Sequence, residues 1–133
     1  AQKLFAAFVK NGTWQTPTLS LIKSFLDEKA DLRPYVYLRD LDAEGLAAFR
    51  ARLATLLDRY KILVRDMHKA GVEFLAGTDS GPQTPNRPGS SLHDELELFV
   101  EAGLTPAEAL RKATLNPARY FRVEADAGGA RGL

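Results

Sequence analysis

Apolar positions along this chain follow two rhythms, one of helical period and one of short extended runs, and they alternate. Leu4, Phe5, Phe8 and Val9 recur at helical spacing, and Asn11-Gly12 offers a left-handed residue to close that helix. Thr13-Trp14-Gln15-Thr16-Pro17-Thr18-Leu19 is rich in β-branched and aromatic residues and predicts a strand over 13–19. Pro17 cannot donate to a ladder, so it belongs at the strand's end or on an edge. Leu19, Leu21, Ile22, Phe25 and Leu26 predict a short helix, and the Pro-containing stretch 31–41 reads as a loop. Asp42 is the expected N-cap of the longest helix, over 44–70, where Leu46, Phe49, Leu53, Leu56, Leu57, Tyr60, Leu63, Val64 and Met67 hold a 3.6-residue period until Gly71.

Residues 72–76 predict a second strand, and 77–90, dense in Gly, Pro, Ser and Asn, predict a loop. Ser91-Leu92-His93-Asp94 opens a helix with Leu92, Leu96, Phe99 and Val100 expected on its buried face, ending at Gly103. Thr105-Pro106-Ala107-Glu108 is a capping box with Pro at the first helical position. Asn116-Pro117 repeats the cap-plus-Pro signal for a last helix to Phe121. The Gly- and Ala-rich stretch 122–133 has no period and reads as a disordered or truncated tail.

A long helix, a strand, a loop and then more helices describe an α/β chain with a parallel crossover. Two strands are too few for a stable parallel sheet, which needs several neighbours and helices on both faces. The 133 residues divide into one partial domain, 1–121, and the tail, and fall well short of the roughly 250 of a complete (β/α)8 barrel. The first residue is not Met, which fits a processed end or a segment of something longer. An open sheet edge predicts self-association, a homo-oligomer.

Composition narrows the chemistry. With 18 basic and 17 acidic side chains the net charge is +1, and no basic stripe is interleaved with aromatics, so nucleic acid is not the expected partner. No apolar run reaches the roughly 18 residues of a membrane helix, and no membrane partner is expected. Cysteine is absent, which removes thiol nucleophiles and Cys-type metal sites and leaves the compartment open.

One acid stands out. The apolar run Gly71-Val72-Glu73-Phe74-Leu75-Ala76 ends in Gly77-Thr78-Asp79-Ser80-Gly81, a small-residue turn presenting one carboxylate, Asp79. A buried strand that delivers an acid at its C-terminal edge is where α/β barrels place groups that face substrate. Asp is also common in such turns for local reasons, through its side-chain bonds to nearby backbone.

Three segments together carry a resemblance: Ala76-Gly77-Thr78-Asp79-Ser80-Gly81; Ser91 to Leu110 (SLHDELELFVEAGLTPAEAL); and Ala113-Thr114-Leu115-Asn116-Pro117-Ala118. The combination resembles the C-terminal end of the barrel in metal-dependent amidohydrolases, especially imidazolonepropionase-like and Xaa-Pro or Xaa-Arg dipeptidase-like hydrolases. Trp14-Gln15-Thr16-Pro17-Thr18-Leu19 is similar to a preceding barrel strand of that branch. The resemblance implies a (β/α)8 barrel that hydrolyses an amide, peptide or cyclic-amide C–N bond, with a small amide or dipeptide-like substrate. It also implies that Asp79 ligates a divalent metal, expected to be zinc, and acts as general acid and base. A metal-bound water with a pKa near 7 beside a carboxylate suits that chemistry.

Elsewhere the chain departs from the pattern. A His-x-His pair, a bridging carboxylate or modified lysine and two later histidines have no counterpart, since the two histidines are His68 and His93. The family's Gly-Lys-x-Ala-Asp-Leu run is also missing after Gly132. One carboxylate cannot hold a catalytic zinc, which normally has three protein ligands, so the chain alone is expected to be metal-free and inactive.

Three further residues are candidates for substrate contact. His93, in the first turn after the long loop, falls on the rim of Asp79; Arg87 could clamp a substrate carboxylate; Ser80, with Thr78, could orient Asp79. His68, at a helix C-terminus, suits the helix dipole and lies on the far side of the expected sheet. A rival reading is a non-catalytic remnant or self-associating segment of such a barrel.

Overall fold

A computed structural model describes residues 1–125 except 31 and 33; the rest of the expected tail, 126–133, lies outside the described residues. The chain forms seven helices among the described residues: α1 (Gln2–Asn11), α2 (Leu19–Leu26), α3 (Val36–Arg39), α4 (Ala43–Lys69), α5 (Ser90–Glu101), α6 (Pro106–Ala113) and α7 (Leu115–Phe121). Their limits follow from local chemistry. Gly12, at φ 59°, closes α1 by donating to Phe8 and Val9 carbonyls. Asp42 accepts from the Gly45 N–H at 2.7 Å and starts the 27-residue α4. Thr105 and Glu108 form the reciprocal capping box that starts α6. The loop expected over 31–41 contains the single turn α3.

The two expected strands are a correction. Within the expected strands, 13–17 and 72–76 are extended and lie parallel, while Thr18 is left-handed and Leu19 already begins α2; among the described residues the two segments share only one bridge, Gln15 to Phe74. Gln15 N–H donates to Glu73 O and Leu75 N–H donates to Gln15 O, each at 2.9 Å. The outer edge of 72–76 meets helix ends instead of another strand. Ala76 N–H donates to the Lys112 carbonyl at 2.9 Å, and the Asn116 amide donates to Phe74 O at 2.8 Å and to the Glu73 carboxylate at 2.9 Å. Backbone groups of a buried segment must be paired, and here side chain and helix terminus do what a neighbouring strand does in a sheet. Asn116, expected as a helix cap, is instead buried as this clamp, and Thr114 holds the N-cap position of α7.

Phe74, Phe99, Leu19, Leu98, Val64 and Val72 are the apolar centre of the core, where α2, α4 and α5 converge on the extended pair. Each such side chain contributes about 1.5–3 kcal/mol by leaving water. Lys112 is buried beside them, its ammonium 5.4 Å from the centre of the Phe74 ring and 3.4 Å from Glu73. The expected stripe of α4 is only partly covered: Leu57, Val64 and Met67 are buried, whereas Tyr60, Leu63 and the neighbouring Ile62 are exposed. No helix among the described residues is long and apolar enough to cross a membrane.

Candidate active-site turn and its cleft

The extended segments 13–18 and 72–79 end at the same edge, and both end in a left-handed residue that is not glycine: Thr18 at φ 55° and Asp79 at φ 52°. They come close there, since a Cβ on Gly77 would stand 2.5 Å from Thr16 Cγ2. Asp is among the residues that tolerate this backbone region, whereas for a β-branched Thr it is an outlier costing about 1–3 kcal/mol. The turn lifts the Asp79 carboxylate out of the extended segment into solvent, without a hydrogen bond to its side chain among the described residues.

Ser80 and Thr78 do not reach Asp79. Their hydroxyls bond each other at 2.9 Å, and Ser80 continues to Ser91 in the first turn of α5 at 2.7 Å. The Asn86 amide donates to the Thr78 carbonyl, and Thr84 Oγ1 both accepts from Gly81 N–H and donates to Gly81 O. The loop is therefore fastened to the turn from two sides, so Asp79 stands free on a braced backbone. α5 itself starts after Gly89 at φ 89° without a side-chain cap.

The remaining candidates are dispersed. Arg87 is exposed and lines a cleft of about 460 Å³ between α2 and the loop, a cleft that Asp79 does not line. His93 is exposed and faces a different depression, with Leu96, Val100 and Leu110 on the outer side of α5 and α6. His68 sits in the last turn of α4, with Nε2 3.3 Å from Glu108 Oε1. Among the described residues no three His, Cys, Asp or Glu side chains gather where they could hold one metal ion. The described residues therefore do not fit a divalent metal, for which Asp79 would supply one ligand of several.

Two polar residues that matter to this edge escaped the pattern reading. Glu95 is fully buried, and its Oε2 accepts from the Ser20 N–H at 2.6 Å. Thr18 gives α2 no side-chain cap, so a carboxylate from α5 satisfies the helix's first N–H groups in its place. Burial raises the Glu95 pKa, opposed by those backbone N–H groups. Asn86 is the other, with its Oδ1 buried and unpartnered, whereas the buried Ser20 hydroxyl lies beside the Glu95 carboxylate and favours its charged form. Each unsatisfied buried group costs about 1–3 kcal/mol. The signal for Glu95 was its register: Ser91, Glu95, Leu98 and Phe99 make the buried stripe of α5, while Leu92 and Val100, expected inside, face out.

The model of the family described as Amidohydrolase family matches residues 12–129. Neither a curated protein nor a solved structure matches the chain.

Proposed function

The chain belongs to the amidohydrolase family, and from that premise we propose that it forms the C-terminal part of a (β/α)8 barrel that hydrolyses an amide, peptide or cyclic-amide C–N bond. The branch we infer is the imidazolonepropionase-like or Xaa-Pro dipeptidase-like one, with a small amide or dipeptide-like substrate. Asp79 is its acid and base. The observation that supports this is the paired left-handed ending of two parallel extended segments, which leaves one unbonded carboxylate at their shared C-terminal edge. A free carboxylate there can take the proton of an attacking water and return it to the leaving amine. A divalent metal, zinc in our reading, belongs to such an enzyme, with ligands beyond Asp79 that the described residues do not bring together.

In the full-length enzyme Asp79→Asn is expected to lower kcat for amide hydrolysis at least about a hundredfold, because general acid–base catalysis contributes about 10²–10⁴. Asn also suits the left-handed backbone, so the turn persists and the loss reports on the proton. His68→Ala should leave kcat nearly unchanged. Full turnover by Asp79→Asn would overturn the assignment. The outward apolar side chains of α4 favour a second reading, a self-associating segment without catalysis.

A further inference from the structure

Two open, mostly apolar depressions carry opposite charges at their rims, and they share no residue. The first, about 490 Å³, runs along α4, where Phe49, Leu53 and Leu56 follow one another at the spacing of a helix seam and Arg52 and Arg59 edge them. Both arginines are exposed and form no ion pair among the described residues. The second, about 580 Å³, lies on the outer side of α5 and α6, where Leu96, Val100 and Leu110 stand beside Glu97 and Glu101. Glu97 is 3.8 Å from Lys23 and Glu101 3.3 Å from Lys61, yet their side chains are 70 % and 52 % exposed, so each carboxylate keeps a free side.

Exposed apolar surface favours a partner, and the charges choose which one. Pairing α4 with the α4 of another copy about a twofold axis sets Arg52 and Arg59 against arginines, and pairing the α5–α6 groove with itself sets Glu97 and Glu101 against glutamates. Like charges across the contact oppose both symmetric modes. Laying the α4 stripe of one copy in the α5–α6 groove of the next brings arginine to glutamate and leucine to leucine, as an amphipathic helix docks in an apolar groove. We propose that this chain associates head to tail with a second copy of itself, α4 lying in the groove between α5 and α6 with Arg52 and Arg59 on Glu97 and Glu101. This mode rests on the self-associating reading above and uses no residue of the Asp79 turn. Each added copy leaves one stripe and one groove unfilled, so the assembly grows with concentration.

Sedimentation velocity of the full chain and of two charge-swapped variants, alone and mixed, tests this directly. One variant combines Arg52→Glu with Arg59→Glu, and the other Glu97→Arg with Glu101→Arg. All four positions are exposed, and surface ion pairs contribute little to stability, so both variants keep the fold, as circular dichroism checks. The average mass of the unaltered chain should rise with concentration through the micromolar range. Each variant alone should associate at least about tenfold more weakly, and an equimolar mixture should recover association, because arginine again meets glutamate. An unaltered chain that stays monomeric would overturn self-association and this mode with it. Association of either variant alone at full strength, or a mixture that recovers nothing, would overturn the head-to-tail mode while leaving self-association standing.

Discussion

Asn116 and Glu95 show how single polar side chains replace missing backbone partners. Asn116, 4 % exposed, holds the Phe74 carbonyl and the Glu73 carboxylate at once. Asn116→Ala leaves a buried carbonyl without its donor and is expected to cost about 1–3 kcal/mol, measurable as a lower urea midpoint at unchanged slope. Glu95 is a different case, because its charged form is the one that burial disfavours. Its folded-state pKa lies above the unfolded value, so the native state binds the proton more tightly. The stability from that proton is complete below the unfolded value near 4.3 and is lost as pH rises through the raised folded value. Glu95→Gln keeps an acceptor for the Ser20 N–H but cannot ionise. Wild-type stability relative to this variant should therefore fall with rising pH in urea titrations from acid to neutral pH, and a parallel pair of curves would contradict the assignment. The partners of Glu95 and Asn116 were not legible in the sequence, although the register of Glu95 and the cap signal at Asn116 were, for one reason. Each serves a partner far along the chain, whereas periodicity and capping motifs report only on neighbours.

At the scale of elements, the signals that proved readable were those completed within one turn. Gly12, Asp42 and the Thr105–Glu108 box act where the sequence places them. α3 was hidden in a Pro-containing stretch, and the buried face of α5 was displaced because an acid occupies a core position. The strands 13–19 and 72–76 were recognised as extended, but β propensity cannot state how many neighbours a segment will find, and one bridge is what forms. The capping box yields a sharp acid test. Glu108 accepts from both the N–H and the hydroxyl of Thr105, which holds its carboxyl at about 2, well below the usual range. A depressed folded pKa contributes stability above the unfolded value and loses it as pH falls from about 4.3 toward 2. Glu108→Gln should flatten the acid limb of a thermal-midpoint profile in that window. Thr18→Gly relieves a β-branched left-handed residue at the start of α2 and is expected to raise the melting temperature by a few degrees, corresponding to about 1 kcal/mol.

For the whole molecule, the decisive fact is uneven cover. The core around Phe74 and Phe99 is closed, yet Tyr60, Ile62 and Leu63 on α4 and Tyr120 and Phe121 on α7 point outward. At about 25 cal/mol per Å², a few hundred Å² of such surface favours association by several kcal/mol. Sedimentation equilibrium of this chain at micromolar concentration should show dimers or larger species, and a compact monomer would refute it. Around Asp79, the small-residue turn and the loop 77–90 were legible because a turn after an apolar run is local; the cleft was not, since its walls come from α2 and from a loop some sixty residues later. The Ser20 N–H and the Glu95 carboxylate stand 75 residues apart in the chain. A ribosome adds roughly 5–20 residues per second, so during synthesis α2 waits on the order of 4–15 s before the group that caps it exists. Until then its first turn has no lasting partner but water, and the stretch around α2 depends most on being shielded from premature contacts.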